Sequence, residues 1–173
     1  MKKAIIVMNE LKREGLIKDY AIGGAIGALK WVEPFFTRDL DIFIILIKEP
    51  ENGEVIMLSP LYEYLKKRGY NKWVEQWIII DDVPVELIPA EGVSKESVEN
   101  ALEVEFEGIR TKVMRPEYLI ALFLKAGRDK DIRKIEMLLK QTKIDMEKLK
   151  DILRRYDLLK KFKRFMKEGQ NGR

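Results

Sequence analysis

The chain has 173 residues, 46% of them apolar and 36% charged, with 33 basic against 29 acidic side chains for a net charge of +4. That is enough for one catalytic domain with a helical extension and a proper core, and it argues against two full domains. The absence of cysteine and histidine excludes disulfides, thiolate zinc sites, Cys nucleophiles, His bases and Ser-His-Asp triads; what remains is carboxylate, lysine, arginine, hydroxyl and backbone amide, a set suited to hard cations such as magnesium.

Residues 2 to 14 place Ala4, Ile5, Met8 and Leu11 at helical spacing, and Gly15 supplies the left-handed residue that commonly ends a helix. This opening lacks a signal-peptide core, and no apolar run approaches the roughly 18 residues of a membrane span, so a cytoplasmic protein with no membrane partner is expected. A short strand over 20–22 leads into Gly23-Gly24, and 25–32 reads as a helix ending before Pro34. DLDIFIILI, residues 39–47, is β-branched and nearly all apolar, as suits a central strand covered on both faces. Ser59-Pro60 reads as a cap and a first helical position, opening a helix that runs to Gly69.

Two apolar runs, 77–81 and 83–88, form a hairpin or close strand pair through Asp81-Asp82, whose side chains suit a tight turn. A weaker pair, 104–106 and 109–114, turns at Gly108. Pro116-Glu117 then opens helices over 116–126, 129–141 and 145–167, with Gly127 and Asp129 as caps between the first two. The tail from Lys148 to Arg173 is amphipathic and basic, with a polar face that is either solvated or turned to nucleic acid. Trp31, Trp73 and Trp77 show no base-stacking pattern and read as core or rim. The expected fold class is α/β (α+β): a small mixed β-sheet with flanking helices, residues 1–114 forming the core and 115–173 a helical segment packed on it.

Asp39 and Asp41 are two apart in a strand, so both carboxylates project to one side while Leu40 and Ile42 face the other. Like charges side by side are costly to ionise together, and a divalent cation is the usual compensation. The plainer alternative is a solvated loop edge. At Gly23-Gly24 the missing side chains would let a phosphate approach the backbone at a helix start, or would simply permit a tight corner.

Gly23-Gly24, a short helix and then Thr37-Arg38-Asp39-Leu40-Asp41 resemble the signature of the polymerase β nucleotidyltransferase superfamily. GGAIGALKWVEPFFTRDLDIFI followed by RPEYLIALFLKAGRDKDIRKIEMLLK resembles its AbiEii-type members, relatives of abortive-infection toxins, over most of the chain. The resemblance implies a nucleotidyltransferase fold and a metal-dependent transfer of a nucleoside monophosphate from a nucleoside triphosphate to an acceptor hydroxyl, with release of pyrophosphate. Two magnesium ions would be held by Asp39, Asp41 and a third carboxylate on a neighbouring strand. Glu86 is the candidate, because an acid between Val85 and Leu87 is costly unless it faces a metal or solvent; Pro84 and Pro89 equally suit an exposed residue on a short edge strand. Gly23 and Gly24 would cradle the phosphates and Thr37 would orient them. Arg128 and Lys130, in a Gly-Arg-x-Lys-Asp element, would neutralise triphosphate or pyrophosphate, or else serve as a charged helix cap. RNA such as tRNA, a protein or a small molecule would be the acceptor, and a cognate antitoxin the partner. Where the broader group carries a lysine this chain has Phe123, with Lys125 on another helix face. The alternative is therefore a protein of the same fold that binds a nucleotide, RNA or a partner without turnover.

Overall fold

The computed structural model describes residues 1–47 and 58–171; the last two residues of the expected basic tail lie outside them. At the centre is β2 (Leu40–Leu46), rich in β-branched and aromatic residues, paired antiparallel with β1 (Ile17–Ile22) and parallel with β5 (Val83–Pro89). Asp81 and Asp82, both at positive φ, turn β4 (Trp77–Ile80) into β5, as tight hairpin turns require. On the far edge, β3 (Trp73–Val74) adds to β4. On the other side, β7 (Ile109–Val113) runs parallel to β1 and carries β6 (Leu102–Phe106) as its hairpin partner. The result is one mixed seven-stranded sheet of order β3-β4-β5-β2-β1-β7-β6.

Each face of the sheet has its own core. On one, Ile42 and Ile44 of β2 and Val85 and Leu87 of β5 pack under α1 (Lys2–Arg13) and α3 (Ser59–Lys67). On the other, Ala21 and Ile45 belong to one core with residues of α2 (Gly24–Ala28), α4 (Val93–Glu99), α5 (Pro116–Ala126), α6 (Asp129–Gln141), α7 (Met146–Arg155) and α8 (Leu159–Asn171). Helix α5 is apolar nearly all round and correspondingly buried, so it is the pillar on which α6 and α7 lean. Glu96 ties this layer together: its carboxylate accepts from both terminal nitrogens of Arg155 (2.5 and 2.7 Å), from the Tyr118 hydroxyl (2.8 Å) and from the Tyr156 hydroxyl (2.5 Å). Charged partners and desolvation make such bonds strong, and they hold the Glu96 carboxyl down to about 2.

Several expectations needed correction. The helix after Gly23 is five residues long rather than reaching Val32, and it begins at Gly24. Ser59 lies inside α3, whose cap is Leu58, and α6 is capped by Arg128 with Asp129 in its first turn. The expected helix over 145–167 is two helices, α7 and α8, separated where Asp157 takes φ 55°. Helix α4 and the two-residue β3 were not anticipated. The former carries few inward apolar residues, Val93 and Val98, too few to print a helical period.

Candidate active site

Asp41 is the second residue of β2, and the parallel register with β5 sets it directly beside Glu86. Val85 and Leu87 are buried under the α1/α3 layer, so the pleat turns Glu86 to the opposite face, the one Asp41 shares. Glu86 therefore does not sit on an edge strand, since β5 has β4 on one side and β2 on the other. Asp39 lies just before β2, and the Thr37 hydroxyl donates to its Oδ1 at 3.4 Å. Thr37 thus steadies the neighbouring carboxylate.

The electrostatics follow from this crowding. Burial pushes the Asp41 carboxyl up to about 6, reinforced by the charges of Asp39 and Glu86 and opposed by those of Arg128 and Lys130. Burial also raises Glu86, again with Asp39 adding and the same two cations subtracting. Arg128, the cap of α6, and Lys130 in its first turn therefore lie within electrostatic range of the carboxylates. Gly127 supplies the turn between α5 and α6 as a left-handed helix end. Arg128 is itself aimed by Asp131, which accepts from its Nε at 2.6 Å and from Lys134 Nζ at 3.0 Å. Asp131 is fully buried, a burial tolerated because both cations satisfy it.

The two glycines have distinct roles. The Gly23 amide donates to the Asp41 backbone oxygen at 3.0 Å, joining the turn to the start of β2. Gly24 takes φ 53°, and a Cβ there would fall 1.6 Å from Asp41 Oδ2. No side chain fits, because the space is occupied by the carboxylate itself. The glycine pattern was legible, but the sequence did not reveal that Asp41 is what it accommodates.

Phe123 is buried in α5, with Lys134 Nζ 5.2 Å above its ring. A cation thus lies over the position where the resembled family carries a lysine, but it comes from the next helix and is held by Asp131. Sequence reading did not anticipate Lys134. Spacing along α6 could have suggested it, since residues 131 and 134 share a helix face.

Among the described residues no three acidic side chains are gathered closely enough to hold a metal ion as they stand. The donor set nonetheless fits magnesium: all oxygen, two adjacent carboxylates on one face with a third within electrostatic range, and mutual repulsion that a divalent cation relieves. Asp39 and Glu86 would have to turn toward Asp41 to share one ion.

No family model matches the chain, and no curated protein matches it. Solved structures do. An antigenic nucleotidyltransferase-like protein from Paracoccidioides brasiliensis matches at TM-score 0.54 and 16% identity, over 92% of this chain and 89% of that one. The antibiotic-resistance factor ANT(2'')-Ia matches in its solution structure at TM-score 0.51 and 14% identity, over 98% of this chain and 97% of that one. Its crystal structure in complex with adenylyl-2''-tobramycin matches at 0.51 and 15%, over 92% and 97%. The chain has a nucleotidyltransferase fold. Among the described residues no helix is long and apolar enough to cross a membrane.

Proposed function

We propose that this protein transfers a nucleoside monophosphate from a nucleoside triphosphate to an acceptor hydroxyl. The observation that carries the reading is the in-register pair Asp41 and Glu86 on two central parallel strands, with Gly24 giving way to the Asp41 carboxylate. Asp39, Asp41 and Glu86 are the residues that would hold magnesium, and the metal would supply charge neutralisation for the triphosphate. Arg128 and Lys130 meet the phosphates from the α5–α6 turn, which relieves repulsion that the acidic cluster alone would impose. Glu86, whose affinity for a proton is raised by its surroundings, takes the proton from the acceptor hydroxyl. The acceptor oxygen bonds to the α-phosphorus, the bond from that phosphorus to the bridging oxygen breaks, and pyrophosphate leaves. Thr37 holds Asp39 in place throughout.

Two further parts of the reading rest on sequence resemblance alone: membership of the AbiEii-type branch and a cognate antitoxin as partner. A cytoplasmic setting is proposed with them. A binding protein without turnover is the second reading, favoured by the buried phenylalanine at 123. Incubation with magnesium and each α-labelled triphosphate, in the presence of candidate RNA, protein and small-molecule acceptors, separates the two. Label transfer that is lost in Asp41→Asn supports the enzyme. Magnesium-dependent triphosphate binding with no transfer to any acceptor and no pyrophosphate release supports the binding protein.

A further inference from the structure

The excess positive charge of the chain sits on one helix. α8 carries five basic side chains against one acid, out of 33 against 29 in the whole chain, so the rest of the chain is neutral. On the neighbouring α7 charges are paired along the helix, Lys150 with Glu147 and Arg155 with Asp151. On α8 Arg164 is paired with Glu168 at 2.7 Å, and among the described residues Lys160, Lys161, Lys163 and Lys167 have no acidic partner.

This arrangement is unfavourable for the helix by itself. Lys160, Lys163, Arg164 and Lys167 follow one another at spacings of three and four and line one open depression, so like charges lie side by side. Lys160 and Lys161 lie in the first turn, at the positive end of the helix dipole, and no acid is present there to offset them. The apolar face of α8 is already committed: Phe162 is buried in the helical core, with Leu159 and Phe165 packed against it. A membrane surface would need that face, and a polycationic aminosugar is repelled by the basic one. What the exposed face fits is a polyanion.

The stripe meets the candidate active site at its N-terminal end. Lys161 Nζ lies over the turn between α5 and α6, where a Cβ on Gly127 would fall 2.7 Å from it. Arg128, the next residue, is within electrostatic range of Asp41 and Asp39. Lys161 and Arg164 are three apart and so are neighbours on the helix surface. A succession of cations therefore runs from Lys167 through Arg164 and Lys161 to Arg128.

We propose that α8 is the track on which the acceptor of the reaction above lies, and that this acceptor is a nucleic-acid strand, its phosphate backbone along the stripe and its reactive hydroxyl led past Lys161 to the carboxylates. The proposal rests on the nucleotidyl-transfer reading. α8 has 13 residues, about 20 Å at 1.5 Å per residue, a length that spans roughly six phosphates of a stacked strand at 3.4 Å each. A repeated cation matches a repeated phosphate.

Fluorescence anisotropy of the full chain with a short, end-labelled, single-stranded oligoadenylate, as RNA and as DNA, tests this. The wild type should bind, with affinity falling as salt rises. Lys163→Ala/Lys167→Ala removes two exposed side chains. It should weaken binding by about five- to twentyfold at ~100 mM salt and make the salt slope shallower by about 1.4, two phosphate contacts at about 0.7 each. In the label-transfer assay it should raise KM for the strand by a similar factor. Lys163→Arg/Lys167→Arg should bind as the wild type does. Lys2→Ala/Lys3→Ala, the same loss of charge on α1 across the sheet, should change affinity by no more than about twofold, because salt screens charges that far from the track. Tighter binding of RNA than of DNA supports the track and adds a contact to the ribose hydroxyl; equal binding supports it through the phosphates alone. Failure of both strands to bind, or equal weakening by the α1 and α8 variants, would overturn the track. If label passes to a protein or small molecule and never to a strand, the track falls and the transfer reading stands. If strands bind through α8 while magnesium with each triphosphate gives neither a melting shift nor label transfer, the transfer reading falls and α8 stands as a nucleic-acid surface.

Discussion

Gly24 and Asp41 occupy the same space: a Cβ on the glycine would lie 1.6 Å from the Asp41 Oδ2 and 2.5 Å from its Cγ. The turn residue and the carboxylate are therefore one structural unit, coupled across the junction of β1 and β2. Gly24→Ala should cost roughly 1–2 kcal/mol for its left-handed backbone alone, plus the displacement of Asp41. The same substitution in an Asp41→Ala background should cost less, with a coupling of about 0.5–3 kcal/mol in a double-mutant cycle from denaturant unfolding. Additive effects would show that the glycine serves only its own turn.

Asp41 ionises at a cost. Its native carboxyl lies near 6, above its ordinary value of 3.8, so the native state binds this proton more tightly than the unfolded chain does. Its contribution to stability is full below about 4 and is lost as pH rises toward 6. In chelator at pH 8, Asp41→Asn should accordingly melt at or above wild type, by up to several degrees. With magnesium and a triphosphate at ten times the dissociation constant, the wild type should gain about 1.4 kcal/mol and the variant far less. Paired melts measure both effects, and a wild type indifferent to metal and nucleotide would remove Asp41 from the mechanism.

Asp131 holds two cations from full burial. Asp131→Ala leaves Lys134 nearly buried without its partner and should destabilise the fold by about 3–5 kcal/mol. Asp131→Asn keeps the shape and loses the charge, so it should cost less. In that variant Arg128 is no longer aimed, and triphosphate affinity should fall. Denaturant unfolding and titration with a triphosphate check these outcomes separately.

Glu96 gives the helical layer an acid limit. Its native carboxyl is held near 2, chiefly by Arg155, below an ordinary value of 4.5. Its contribution is therefore present above about 4.5 and is lost as pH falls toward 2. Glu96→Gln should be less stable than wild type at pH 7 by about 2 kcal/mol, with the gap closing as the pH is lowered through that window. A gap that does not change with pH would mean that shape, and not charge, makes the contact.

The chain by itself determined most of its elements and its chemical repertoire. Missing cysteine and histidine removed whole classes of catalysis, the apolar run of β2 marked the centre of the sheet, and Gly23-Gly24 marked a glycine turn ahead of the paired acids Asp39 and Asp41. These are local facts, set by side-chain type and by a period of two or 3.6 residues. The break at Asp157 escaped notice because the amphipathic pattern continues across it, and only the packing of α7 against α5 and α8 reveals the turn. What tertiary structure alone decided is adjacency. A pattern shows which face a residue takes but not which strand lies next to it, so the alignment of Trp77 with Glu86 was not readable in advance, and the grouping of Asp41 with Glu86 and with Arg128 from a distant helix turn was suggested by family resemblance alone. Those neighbours are chosen by long-range burial and hydrogen-bond register, whose energies depend on the whole folded sheet rather than on any one segment.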